Sequence, residues 1–310
     1  MRAAGLDCTA VTVDHRLRGG SAEEVARVAQ VCAAMGVPHR GVARPKGADW
    51  GGQSLAREGR YAALARIAAE LDAPVVTGHT LDDQVETVRM RARRAGGTLG
   101  LAGIAPVATL EGTTRLLRPL LGAPRDGLRR HLKAHGIGWI DDPSNADPRF
   151  ERVRTRRTGD AADAHRIARF AAACRRERAL LMRTIAADLD AGLGGAEGRL
   201  LYRPGLRGIA LVHALRWLAA WIGRAAHLPA QDRVAAFVDR EPALTIAGSV
   251  LRRDGEGYAV EREERRAAAI RDDPQRGEAE PFARFRPASD DPVFAALARL
   301  APVPSRARRS

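Results

Sequence analysis

The sequence predicts an α/β fold: an incomplete doubly wound, mostly parallel sheet, followed by a small mainly helical module and a disordered tail. Three observations predict it. The first half alternates short apolar runs with stretches of helical period, the pattern of strand–helix–strand units whose helices cover both sheet faces. The second half opens on long helical periodicity from Asp163 to Leu189. After about Glu261 the chain turns charged, Pro-rich and aperiodic, a composition that cannot bury enough apolar surface to order itself. At 310 residues there is room for two domains.

The elements follow in order. Thr9 to Asp14 reads as a buried strand ending in polar residues. Ser21 to Met35 reads as a helix, with Ser21 and Glu24 as a capping box and Val25, Val28, Cys32 and Met35 as its apolar stripe. Gly19-Gly20 before it reads as a helix-entry turn. Val37 to Val42 is a second strand; Ser54 to Leu71 is a second helix facing inward through Leu64, Ile67, Ala68 and Leu71. Pro74 to Thr77 is a third strand and Leu81 to Arg94 a third helix. Between Arg118 and Trp139 a helix over Pro124 to His135 is flanked by short extended pieces. Asp141-Asp142-Pro143-Ser144-Asn145 is a polar turn cluster, and Arg149 to Arg157 is rich in arginine. Leu206 to Ile222 reads as an apolar helix carrying Trp217 and Trp221, and Ala243 to Val260 as a small hairpin. The implied domains are 1–157, a linking helix over 158–195, a helical module over 196–262, and a tail over 263–310.

Charge narrows the partners. Fifty-one basic residues against 37 acidic ones leave a formal charge of +14. Such an excess favours a polyanion, nucleic acid first and an anionic membrane surface second. The same Arg-rich, Lys-poor balance also arises from GC-rich coding, so charge alone does not decide. Cys8, Cys32 and Cys174 are widely spaced and form no paired-cysteine metal or redox motif. With no apolar run long enough for a bilayer and no signal-peptide core at Met1 to Ala10, a reduced cytoplasm is expected.

Three acids, Asp82, Asp83 and Glu86, fall within five residues where the third strand meets the third helix. That junction, outside the carboxyl end of a strand, is where α/β sheets hold ligands. Helical geometry puts Leu81, Val85, Val88 and Ala92 on one face and the three acids opposite. Two readings fit. Thr80 and Asp83 match a capping box, with first-turn acids answering the helix dipole. The acids also suit a Mg2+ ion between protein and phosphates. His79 either contacts a nucleotide or closes the strand. Arg57 and Arg60, three apart on one helix side, either clamp a leaving pyrophosphate or an RNA backbone, or are simply solvated. Asp14 and His15 end the first strand, another ligand-facing position.

Six segments occur in order: Val13-Asp14-His15-Arg16-Leu17-Arg18, Ala56-Arg57-Glu58-Gly59-Arg60-Tyr61, Gly78-His79-Thr80-Leu81-Asp82-Asp83-Gln84-Val85-Glu86-Thr87, Gly100-Leu101-Ala102-Gly103, Arg118-Pro119-Leu120-Leu121 and Trp139-Ile140-Asp141-Asp142-Pro143-Ser144-Asn145. Together, over about residues 8 to 157, they resemble the tRNA(Ile)-lysidine synthase family of N-type ATP pyrophosphatases, with an adenine nucleotide alpha hydrolase-like sheet. The resemblance implies ATP and Mg2+ as cofactors. The implied partners are free L-lysine and an isoleucine tRNA with a CAU anticodon. It implies that ATP activates C2 of the wobble cytidine as pyrophosphate leaves, and that the lysine amine then attacks C2 and expels AMP. By the same resemblance Asp83 and Arg60 are catalytic. Asp14, His15, His79 and Arg57 bind ATP, and Asp82, Asp83 and Glu86 hold the metal. Asn145, Arg152 and Arg156 grip tRNA or substrate. Val153 stands where the family has an asparagine, and Arg89 where an apolar residue is expected.

The family's phosphate loop, Ser-Gly-Gly-x-Asp-Ser, belongs before Asp14, and this sequence enters the pattern just after it. The expectation is therefore a chain that does not adenylate by itself, through a start codon placed too late or through a degenerate copy. Two other functions compete: a tRNA-thiolating pyrophosphatase, which the isolated cysteines disfavour, and a non-catalytic tRNA-binding remnant.

Overall fold

The computed structural model describes residues 5–14, 21–43, 53–94, 99–110, 113–139, 155, 163–196, 199–225, 227–263 and 292–300. The chain divides into two compact units, one of residues 1–77 with 107–118 and one of residues 78–106 with 119–310.

The first unit carries the α/β half. Strands β1 (Ala10–Asp14) and β2 (His39–Ala43) pair in parallel, joined through α1 (Ser21–Ala34). Helix α2 (Gln53–Glu70) packs against β1 and against a second sheet, β3 (Val75–Val76), β5 (Thr114–Leu117) and β4 (Val107–Leu110) in that order. β3 runs parallel to β5, and β4 antiparallel to it. The pairing is thus mostly parallel, as the alternation required. The β4–β5 pair was not expected: neither Val107-Ala108-Thr109-Leu110 nor Thr114-Arg115-Leu116-Leu117 alternates apolar and polar residues. Its core is small. Ala68, Val75 and Leu116 are buried, with Tyr61, Leu64, Ala108 and Leu110 packed around them. Three inward assignments fail. β1 is half-buried along its whole length, Met35 is 55 % exposed just past the end of α1, and Leu71 is exposed just past α2. At both helix ends the chain turns away before the last apolar residue can reach the core.

The second unit begins at Gly78. Helix α3 (Leu81–Arg93) leads to a short 3-10 turn (Gly100–Ala102), and α4 (Arg125–Ala134) follows from Pro124. The long helix α5 (Ala164–Gly192) runs into β6 (Leu193–Ala196) and β7 (Arg199–Tyr202). Helices α6 (Gly208–Gly223) and α7 (Gln231–Asp239) precede β8 (Ala243–Ile246), β9 (Ser249–Asp254) and β10 (Gly257–Arg262). All five strands join one antiparallel sheet in the order β6-β7-β10-β9-β8. The predicted hairpin is therefore three strands of five, and the sheet starts at Leu193 with β6. Gly194 and Gly195 hid β6, because glycine gives a strand no side-chain period. The β8–β9 turn is Ala247-Gly248, both at positive φ, the geometry a two-residue hairpin needs.

Helix α6 is apolar all round because it is wrapped all round. Leu211, Leu215, Trp217, Leu218 and Trp221 join Phe237 of α7 and Leu251, Tyr258 and Val260 of the sheet in one core. At its end Gly223 lies so close to the β8–β9 turn that a Cβ would meet the carbonyl of Ala247, so only glycine fits. Of the expected tail over 263–310, residues 264–291 and 301–310 lie outside the described residues. Residues 292–300 form a helix, α8 (Pro292–Leu300), that packs on α5 and α6 and buries Val293, Ala296 and Leu297. Its apolar triplet at i, i+3, i+4 carries the signal, masked in sequence by the polar stretch before it.

Candidate active site

The acid-bearing junction forms as its residues require. Thr80 sits at the N-cap of α3 in extended conformation. Its amide and its hydroxyl both donate to Asp83 Oδ2, each at 2.8 Å, completing the capping box. Asp83 Oδ1 faces the Arg125 guanidinium at 3.5 Å. Asp82 Oδ2 accepts the Arg125 backbone amide at 2.8 Å, and the Leu81 amide donates to the Ala123 carbonyl at 3.0 Å. The starts of α3 and α4 are thereby tied together. Burial pushes the Asp83 carboxyl up, but the two bonds from Thr80, then Arg125 and His79, outweigh it and hold it below the ordinary carboxylate value. Asp83 is an anion at neutral pH.

Glu86 corrects the helical-wheel expectation. It is only 3 % exposed and lies on the buried side with Leu81, Val85 and Val88, while Ala92, assigned to that side, is exposed. α3 is enclosed on more than one side, so a single apolar stripe does not describe it. No group of three or more His, Cys, Asp or Glu side chains is placed to hold one metal ion among the described residues. Of Asp82, Asp83 and Glu86, Asp82 accepts the Arg125 amide, Asp83 is engaged through both oxygens, and Glu86 is buried.

Asp14, Arg57 and Arg60 belong to the first unit. Asp14 ends β1 opposite Ala43, at the expected strand terminus. Arg57 and Arg60 both lie against the Tyr61 ring, 4.9 and 5.3 Å from its centroid, which steadies each guanidinium on α2. His15, Asn145, Arg152 and Arg156 lie outside the described residues, as does the Arg149 to Arg157 run apart from buried Thr155, whose hydroxyl accepts from Arg93 at 3.2 Å.

Two groups of side chains carried no role in sequence. Arg125 had one available signal, an arginine directly after the proline that opens a helix. The second group clamps the Gly100–Ile104 segment. Gln84 Oε1 accepts the Ile104 amide at 2.5 Å, and its amide group donates to the Ile104 carbonyl at 3.2 Å. Arg91 donates to the carbonyls of Gly100 and Gly103 at 3.1 and 2.9 Å, and Arg175 of α5 to that of Ala102 at 2.7 Å. Gly103 has φ +65, and a Cβ there would meet Gln84 Oε1 at 2.6 Å. A glycine at this point is thus set by backbone and space together.

Residues 1–158 match the PP-loop domain family, a nucleotide-handling class: the chain belongs to that ATP-binding family. Beyond that match, the chain is similar to curated tRNA(Ile)-lysidine synthases. It is 39 % identical to that of Mesorhizobium japonicum over 268 residues, 78 % of this chain and 57 % of the relative. It is 48 % identical to that of Hyphomonas neptunium over 155 residues, 48 % of this chain and 41 % of the relative. It is 37 % identical to that of Brucella suis over 272 residues, 80 % of this chain and 59 % of the relative. The chain thus spans about half the length of the curated relatives it matches. Among solved structures it resembles the U34-tRNA thiolase NcsA from Methanococcus maripaludis, with a TM-score of 0.44 and 16 % identity over 53 % of this chain and 61 % of that one.

Proposed function

We propose that the chain is the catalytic part of a tRNA(Ile)-lysidine synthase, joining free L-lysine to C2 of the wobble cytidine of an isoleucine tRNA with a CAU anticodon. The observation that carries this reading is the 39 % identity over 78 % of the chain, which runs well past the 158 residues of the PP-loop match. A likeness confined to the nucleotide domain would have supported only ATP use. In this reading ATP adenylates the C2 oxygen with loss of pyrophosphate; the lysine amine attacks C2, and AMP leaves. Asp83, anionic and held by Thr80 and Arg125, supplies a fixed negative charge at the helix start for the adenylation step, suited to a divalent cation beside the phosphates. Arg60, steadied on Tyr61 beside Arg57, supplies positive charge for the departing pyrophosphate. Asp14, His15 and His79 complete the nucleotide contacts, and Asn145, Arg152 and Arg156 those to tRNA or substrate. Mg2+ accompanies the nucleotide, since this ion binds chiefly through phosphates, waters and one or two carboxylates. Its candidate ligands in the chain are Asp82, Asp83 and Glu86.

The reading places the protein in the cytoplasm, with 1–157 as the nucleotide domain, α5 as the linker and the antiparallel module beyond it. Among the described residues no helix is long and apolar enough to cross a membrane. The test is incorporation of labelled lysine into the CAU-anticodon isoleucine tRNA, with stoichiometric AMP release, assayed with the family's Ser-Gly-Gly-x-Asp-Ser loop present. ATP-dependent incorporation is expected; its absence under those conditions would sink the assignment.

A further inference from the structure

Helix α4 is unusual within its unit because none of its residues is buried. Leu128 and Leu132 are half-buried on the inner face, and the outer face is cationic: Arg130 and Lys133, three apart, are exposed, as are His131 and His135. A single acid, Asp126, stands on the outside, one turn before Arg130. Just past the helix Trp139 is 44 % exposed, with the Arg129 guanidinium 5.3 Å from its ring centroid. An exposed indole with an arginine over its face, beside a row of cations, offers what a single nucleic-acid strand takes: stacking for a base and charge for the neighbouring phosphates. The helix is also tethered. The Arg125 amide bonds Asp82, its guanidinium faces Asp83, and the Ala123 carbonyl accepts the Leu81 amide. Ten residues of helix span roughly 15 Å, so the cationic row starts at the acids and leads away from them.

We infer that the outer face of α4, with Trp139, is an RNA-binding track that leads a single-stranded segment to the acid-capped start of α3. The occupant is RNA because the face pairs cations with a stacking aromatic and presents no exposed apolar row. The identity of that RNA as an isoleucine tRNA rests on the function proposed above; the track itself does not.

The experiment measures binding of the full chain to an isoleucine tRNA transcript by fluorescence anisotropy across a salt series. The double variant Arg130→Glu/Lys133→Glu is expected to weaken binding at least about tenfold at low salt. It should also lower the magnitude of the log–log salt slope by about 2, roughly one per cation lost. Trp139→Ala is expected to weaken binding about fivefold or more with the salt slope unchanged, and Trp139→Phe to restore most of it, because a phenyl face still stacks. Asp126→Asn, which removes the repelling charge, is expected to tighten binding. Arg130 and Lys133 are exposed, so the thermal midpoint of the double variant should match the parent. Unchanged affinity and slope in the double variant would overturn the inference. So would competition by polyglutamate as effective as competition by RNA, which would assign the face to an acidic protein. Absence of lysine ligation together with RNA binding that is lost on charge reversal would instead remove the lysidine reading and leave the track standing.

Discussion

Asp83 combines two roles that substitution can separate. It closes the capping box with Thr80 and faces Arg125. If its charge matters to the reaction, Asp83→Ala should abolish ATP-dependent AMP release in the loop-bearing protein, while Thr80→Ala keeps most of it. Each should cost about 1 kcal/mol of stability, the usual price of a lost cap. Equal activity losses in the two variants would reduce Asp83 to a cap. His213 makes a second residue-scale prediction. It is buried in α6, and its Nδ1 accepts a hydrogen bond from Arg216 at 3.1 Å, which a protonated ring could not do. Burial, then Arg216 and Arg178, lower its pKa to about 4. A histidine with a depressed folded pKa contributes stability that is complete above its ordinary value of about 6.5. That contribution is lost as pH falls toward about 4, because the unfolded chain takes up the proton first. The loss is on the order of 3 kcal/mol. Urea midpoints should fall over this window, and less steeply in His213→Leu; parallel profiles would refute it.

At the scale of elements, the capping box, the α4 boundaries and the order of strands and helices from β1 to α3 were legible, because each rests on local chemistry. Pro124 opens α4, and Thr80 with Asp83 opens α3. The inward turn of Glu86, the clamp on Gly100–Ile104 and the pairing of β6 with β7 were not legible, because their partners are distant in sequence or carry no periodic signal. Helix α8 is the element with the clearest consequence. Leu297 is fully buried against α5 and α6, so Leu297→Ala should cost ~2–5 kcal/mol, the range for truncating a buried leucine. Chemical denaturation measures this directly. A cost below about 0.5 kcal/mol, typical of a surface site, would mean that α8 is not part of the core.

For the whole molecule, the two units differ in how much core they own. Among the described residues, the first has three buried residues in its cluster, Ala68, Val75 and Leu116, whereas the second gathers α5 to α8 and the five-stranded sheet around one cluster. Amide exchange should therefore be slowest in α6, β9 and β10 and markedly faster in β1 and β2, since protection follows apolar packing. Equal protection in both sheets would contradict this difference.

By itself the sequence determined the α/β class, the PP-loop kinship, the acid-capped start of α3 and the excess positive charge, since all of these lie in local pattern, motif order or composition. Tertiary structure alone decided that Arg125 locks Asp82 and Asp83 to a second helix, that Glu86 faces inward, that five strands rather than two complete the later module, and that residues 292–300 return to cover α5 and α6. The reason is physical: each of these depends on which distant groups meet once the chain is packed.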